Sequence, residues 1–256
     1  DNPAFQVYAN YADCFDELER LSKGAPERHF RVGTGELADS LAFDSITGMS
    51  RDLIEFFSTR ENLTLELKTK TDEIANLLKV DPRGRALVSW TLSTDAAYRA
   101  SEHRTASPSA RIAAARAVLD AGYRVAFHFD PLIAYPGAER DYLELADRLL
   151  DTIAPREISF VSIGGLRMTP ALRAAARKRF PDDAMLCGED VLAPDGRYRT
   201  FAPLRLKLYR TLVERFQKSG AAIPSYLCME TASVHERVFG GAPARPAAVG
   251  EQLASR

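Results

Sequence analysis

The sequence has little of what would place it quickly. Its three cysteines, Cys14, Cys187 and Cys228, lie far apart with no C-x-x-C pair. An odd count at those spacings gives no disulfide framework and no zinc site, and each is expected as a buried, small apolar residue. The net charge is −1, so no global field gathers nucleic acid or an anionic membrane, and any nucleic-acid contact has to come from a local patch. No apolar run approaches the roughly 20 residues that span a bilayer, and no signal-peptide pattern occurs. The expectation is a soluble, cytoplasmic protein with no membrane partner. There is no G-x-S-x-G elbow, no G-x-x-x-x-G-K-[ST] phosphate loop and no dinucleotide glycine fingerprint after the first strand. The first residue is Asp1 rather than methionine, and a fragment of a longer protein is expected.

What is present is a chain of 256 residues, 46% hydrophobic, with a regular alternation of patterns. Strands are expected at "FQVYAN" (Phe5–Asn10), "HFRVG", "LTLELKTK", "ALVSWTLS", "YRVAFHF", "EISFVSI" and, shorter, "SYLCM". Between them lie helical patterns, among them "DCFDELERLSKG", "SRDLIEFFSTR", "TDEIANLL" from Thr71, and "ERDYLELADRLLDTI". Two helix starts are well signalled. Ser107 caps with Pro108 at the first helical position, and Thr169 with Pro170 repeats the device. "APDGRYRTF" reads as a turn between short strands. The Ala/Gly/Pro-rich tail, residues 240–256, is expected to be loosely held. Strands alternating with helices argue for parallel β/α units, no linker divides the chain, and a full or partial β/α barrel is the best reading.

In such barrels the ligand site lies at the C-terminal ends of the strands. Those positions hold Asn10; Gly33, Thr34, Gly35 and Glu36; Lys68 and Lys70; Thr91 and Ser93; His128 and Asp130; and Ser162, Gly164, Gly165 and Arg167. Each alone is explained as a turn or rim residue, and it is their convergence that points to a site. In "HFRVGTGELADS", a tight turn accounts for the glycines, but so does a ligand approaching bare backbone, with Glu36 facing something positive. Lys70 is suited to a carboxylate or phosphate. His128 and Asp130 share one strand face, and without a second histidine nearby they favour acid–base or substrate contact over a metal. His103 reads as a loop histidine and Cys228 as a structural cysteine. The basic stretches "RAAARKRFP" and "RLKLYR" read as solvated helix faces, with nucleic-acid contact as the sharper alternative.

Taken in order, "FRVGTGELADSLAFDSITGMSRDLIEFF", "LELKTKTDEIANLL", "VSWTLS", "EHRTAS", "RIAAARAVLDAGYRVAFHFDPLI", "ISFVSIGGLRMTP", "GED" and "YLCMET" resemble the spore photoproduct lyase family of radical SAM proteins, including its non-spore-former branch. The resemblance runs through residues 1–239. It implies a partial (β/α)6 TIM-like barrel of the radical SAM type, with the first strand and cluster loop missing here. It also implies a 4Fe–4S cluster, S-adenosylmethionine cleaved to a 5′-deoxyadenosyl radical, an electron donor, and DNA as partner, with thymine-dimer reversal as the reaction. By matching motif, "GTGE" (Gly33, Thr34, Gly35, Glu36) takes the place of a Gly-Gly-Glu type motif that binds the cofactor's amino end. Lys70 then faces its carboxylate and Thr91 adds a hydroxyl. A zwitterion is well held by a carboxylate and an ammonium fixed on separate strands.

The sequence departs from the family pattern twice. The C-x-x-x-C-x-x-C cluster motif is absent and is expected upstream of Asp1, so that no metal ligand is expected in this chain. The family's hydrogen-donor cysteine after the second strand is also absent from "GTGELADS", leaving Cys14 and Cys228 as substitutes. His128, Asp130, Arg167 and Cys228 are the candidate catalytic residues. The rival readings are a non-catalytic barrel that binds a ligand or nucleic acid, and a cofactor-free lyase using Lys70 as a Schiff-base amine.

Overall fold

A computed structural model describes residue 7 and residues 10–35 and 38–241. The elements in order are α1 (Tyr11–Gly24), β1 (Phe30–Thr34), α2 (Asp44–Thr47), α3 (Met49–Ser58), β2 (Leu63–Thr69), β3 (Ala86–Thr91), α4 (Asp95–Ser101), α5 (Pro108–Asp120) and β4 (Arg124–Leu132). They continue with α6 (Ala138–Thr152), β5 (Ile158–Gly165), β6 (Arg167–Met168), α7 (Pro170–Arg179), β7 (Asp190–Leu192), β8 (Tyr198–Thr200), α8 (Ala202–Gln217), β9 (Ser225–Leu227) and α9 (Ala232–Phe239). Six strands form one sheet in the order β1-β2-β3-β4-β5-β9, every neighbouring pair parallel. The sheet is open and curled, a half-barrel flanked by helices, as the alternating pattern predicts. A smaller antiparallel sheet, β6-β8-β7, follows β5 and contains the expected turn between short strands. Most of the Phe5–Asn10 strand and of the 240–256 tail lies outside the described residues.

The strands alternate in what they face because successive side chains point to opposite sides of a sheet. Leu63, Leu65 and Leu67 of β2, Val88 and Trp90 of β3, and Phe127 and Phe129 of β4 are fully buried in the main core against the helices. Full burial of such side chains stabilises by about 2 kcal/mol each. The other face, the inside of the curl, has a different composition. It carries a small apolar cluster of Leu87, Ala126 and Phe160 with Tyr226 against it, and otherwise polar groups.

Three expectations need correction. "TDEIANLL" is not a helix but an extended stretch ending in a short 3-10 turn, Leu77–Lys79. Local bonds compete with the helix there: Thr71 N donates to Thr69 Oγ1, Glu73 N donates to Thr71 Oγ1, and the Thr71 carbonyl accepts from Trp90 Nε1 at 2.9 Å. A helix missing from the sequence reading, α4, is capped by Thr94, whose hydroxyl accepts from Ala97 N at 3.2 Å. The cysteines are not buried as a class. Cys14 and Cys187 are exposed, because α1 buries only Leu18 and Cys187 lies in a surface loop; Cys228 is half-buried.

The cap on α5 is realised as expected, with Ser107 Oγ accepting from Ala110 N at 3.2 Å and Pro108 opening the helix. Replacing Ser107 by alanine removes one donor's partner and is expected to cost about 1 kcal/mol, measured by urea denaturation. An unchanged midpoint would contradict the role of the cap.

Candidate functional site

The inner face is built in layers. Above the apolar Leu87–Ala126–Phe160 cluster, Glu66 Oε1 accepts from Ser89 Oγ at 2.8 Å and lies 3.1 Å from His128 Nε2. Arg31 Nε approaches Glu66 Oε2 at 3.5 Å, and its guanidinium sits 4.9 Å from the centre of the Phe160 ring. Burial pushes the Glu66 carboxyl up, but the hydrogen bond from His128, the Arg31 charge and Ser89 outweigh it and hold the group well below the usual carboxylate range. Burial depresses the His128 pKa, with Lys68 adding to it, so a neutral His128 donates Nε2–H to an ionised Glu66.

The next layer forms the mouth. Arg167 Nη2 donates to both oxygens of Asp130 at 3.3 and 3.2 Å, and Arg167 Nη1 donates to the Cys228 carbonyl at 3.2 Å. The "GG" of β5 makes room for this layer. A Cβ on Gly164 would stand 2.7 Å from the Asp130 carboxylate, and one on Gly165 would stand 2.8 Å from the Tyr209 hydroxyl. Burial pushes the Cys228 thiol up to about 11, with Asp130 adding to the effect, so it stays protonated. His128, Asp130, Arg167 and Cys228 thus gather inside the half-barrel. His103 is exposed, and Cys14 sits on the outer side of α1.

The loop after β1 is stitched to the end of β2. Asp39, which the sequence reading missed, accepts from Leu41 N and Ala42 N at 2.9 Å, from Thr69 Oγ1 at 2.7 Å and from Lys70 N at 2.6 Å. Ser40 Oγ lies 2.7 Å from Thr34 Oγ1 and accepts from Lys68 N at 3.1 Å. This closeness explains Gly35: its φ is +83°, and a Cβ would lie 2.6 Å from Ser40 Oγ and 2.7 Å from the Lys68 carbonyl. Gly33 is less confined, its nearest contact being Glu66 Oε2 at 4.0 Å. Glu36 lies outside the described residues.

Lys70 meets a partner that the sequence did not suggest. Its ammonium donates to Glu102 Oε1 at 2.8 Å, while Glu102 Oε2 pairs with Arg111. The Arg111 side chain is wholly buried and also donates from Nη1 to the Thr91 carbonyl at 2.8 Å and from Nε to the Ala106 carbonyl at 2.9 Å. Burial raises the Glu102 pKa, but the Lys70 and Arg111 charges prevail and keep it lowered. An ammonium held on a carboxylate is the reverse of the setting that frees a lysine for Schiff-base chemistry.

Between these parts lies a cavity of about 360 Å³ lined by Gly35, Asp39, Lys68, Lys70, Thr91 and Asp130 among others. A second, about 190 Å³, adjoins it through Lys70, Thr91 and Pro131 and carries the buried, unpartnered hydroxyl of Ser93. Together they fall in the range of small-molecule sites, roughly 300–1,000 Å³.

The profile of the spore photoproduct lyase family matches residues 1–199, well over half of the 256-residue chain. The chain belongs to the spore photoproduct lyase family. The spore photoproduct lyase of Clostridium acetobutylicum is 25% identical over 181 residues, 70% of this chain and 53% of that protein. The one from a Geobacillus species is 27% identical over 183 residues, with the same coverage. The chain spans about half the length of these curated relatives. A solved spore photoproduct lyase variant with bound AdoMet and dinucleoside spore photoproduct matches with a TM-score of 0.80 at 22% identity, over 88% of this chain and 69% of that one. A spore photoproduct lyase complexed with dinucleoside spore photoproduct gives the same values. These likenesses establish a shared half-barrel.

The family's cofactor fits part of what this chain offers. S-adenosylmethionine carries a carboxylate, an ammonium and hydroxyls, and the paired cavities present Lys70 and Lys68, Asp39 and Asp130, and the free Ser93 hydroxyl. The described residues supply no ligand set for a 4Fe–4S cluster. Among the described residues no group of three or more His, Cys, Asp or Glu is placed to hold a metal ion.

Because Glu66 is ionised and His128 neutral in the folded state, both bind fewer protons there than in the unfolded chain. Their contribution to stability is present above the unfolded pKa values and is lost as pH falls, through the ordinary histidine range and then the carboxylate range. Glu66→Gln is expected to flatten the acid limb of stability measured by urea denaturation below about pH 5, the carboxylate range, while the histidine part of the limb persists. An acid limb as steep as in the wild type would contradict the pairing.

Proposed function

We propose that this chain is the cofactor- and substrate-binding half-barrel of a radical SAM lyase, with a DNA lesion of the thymine-dimer class as substrate. Residues 1–239 form the working unit in this reading, and an external electron donor serves it. Family membership supports the class, and the substrate is suggested by relatives solved with dinucleoside spore photoproduct. The observation that carries the reading is the polar cavity at the strand ends, where Lys70 and Thr91 share one wall and Asp130 stands on another.

S-adenosylmethionine held in the cavity would supply radical chemistry once reduced by a centre that the described residues do not provide. The residues of this chain bind, orient and exclude water. Lys70 would hold the ligand's carboxylate, Thr91, which lines both cavities, would add a hydroxyl, and Gly33, Thr34 and Gly35 at the end of β1, with Glu36 by matching motif, would receive the amino end. Asp130 and Arg167 face the substrate as a fixed ion pair, and Asp130 is kept in place by the missing side chain of Gly164. His128, neutral and bonded to Glu66, closes the barrel floor beneath them. Of the two cysteines considered as hydrogen donor, Cys228 lies at the mouth, beside Asp130 and Arg167. A donor of a hydrogen atom must be a thiol rather than a thiolate, and the surroundings of Cys228 keep it so.

The intact protein, with its cluster reconstituted and reduced anaerobically, is expected to convert S-adenosylmethionine to 5′-deoxyadenosine and methionine, quantified by chromatography. No 5′-deoxyadenosine above the cluster-free control would overturn the reading.

A further inference from the structure

Glu102 and Arg111 belong to no role assigned so far, yet with Lys70 they form a densely bonded ionic group at the mouth. Glu102 stands between two cations. Lys70 is on its Oε1 at 2.8 Å and Arg111 on its Oε2, while Thr105 Oγ1 donates to Oε2 at 3.3 Å. Arg111 cannot turn elsewhere: it is wholly buried, with further bonds to the carbonyls of Thr91 and Ala106 and to Thr105 Oγ1. Lys70 keeps about a third of its side chain exposed and faces both cavities.

The charges do not cancel. Two cations share one carboxylate, so the group carries one net positive charge, and its exposed member is Lys70. Had Glu102 stood alone beside Lys70, it would have oriented the ammonium but neutralised it as well. With Arg111 behind it, Glu102 orients without neutralising. We propose that Arg111, acting through Glu102, is a positioning residue that reserves the charge of Lys70 for an anionic group of the ligand, the carboxylate of an amino-acid-like cofactor. This inference rests on the S-adenosylmethionine reading and assigns its carboxylate recognition to a three-residue unit rather than to one lysine.

The test compares the affinity of the reconstituted holoprotein for S-adenosylmethionine and for its decarboxylated analogue, both by calorimetry. The ratio of the two isolates carboxylate recognition from the general fit of the site. Asp39, Asp130 and Lys68, which line the same cavity, are unchanged throughout. In the wild type the ratio favours S-adenosylmethionine. Arg111→Gln leaves Glu102 to cancel Lys70 and is expected to lower the ratio about tenfold, whereas Glu102→Gln adds net positive charge and is expected to raise it about threefold. A structural role moves both ligands together and leaves the ratio alone. The inference is overturned if both variants shift the ratio the same way, if Glu102→Gln leaves or lowers it, or if the wild type shows no preference. Should Arg111→Gln fail to fold, the sign of the Glu102→Gln change decides alone. Binding of neither ligand by the wild type overturns the cofactor reading itself, whereas normal wild-type preference with unmoved variants overturns the positioning role only.

Discussion

A carboxylate shared between two cations at the ends of β2 and β3 governs the mouth of this half-barrel. Glu102 draws Lys70 to one side of the cavity while Arg111, bonded to the Thr91 carbonyl, ties the same group to the end of β3. A buried pair that loses one partner is costly, because the remaining charge has neither water nor a counter-ion. The loop after α4, the start of α5 and two strand ends are therefore fixed relative to each other. The cavity between them inherits that rigidity.

The same rule runs down the inner face. Several charged groups there pair across neighbouring strands or loops: Glu66 with His128 and Arg31, Asp130 with Arg167. The outer face has none of this and packs Leu, Val, Phe and Trp against the helices. One period-2 pattern thus serves two purposes, a dry core outside and a polar lining inside, and the lining is polar where a small polar ligand would enter. Glycine completes the design where side chains would collide, at Gly164 under Asp130 and at Gly35 where the loop folds back on β2.

Much of the fold was legible. Continuous apolar runs gave the parallel strands, and Ser107–Pro108 and Thr169–Pro170 gave helix starts that the structure places as read. Cys228 follows β9 as the pattern suggests, whereas β4 runs on to Leu132 and keeps His128 and Asp130 within the strand, and Arg167 belongs to β6 rather than to the end of β5. What failed did so for local or distant reasons. Thr69 and Thr71 bond to backbone and break the helix that "TDEIANLL" otherwise suggests. Glu102 lies 32 positions from Lys70, and no spacing rule reaches that far. Signals for the missed residues did exist. Glu66 is a lone acid inside an apolar strand run, and Arg111 is a cation among the small apolar residues of "ARIAAARAVLDA". A charge in such a place has to be paired, which marks it for attention even before its partner is known.

The central claim is that Lys70, poised by Glu102, receives the carboxylate of S-adenosylmethionine in the cavity at the strand ends. A crystal structure of the intact protein with S-adenosylmethionine bound tests it most directly. The expected result is the ligand's carboxylate within hydrogen-bond distance of Lys70 Nζ, with Glu102 still on Arg111. A ligand seated elsewhere, with the Lys70 ammonium bonded to Glu102 and to no anionic group of the ligand, would contradict it.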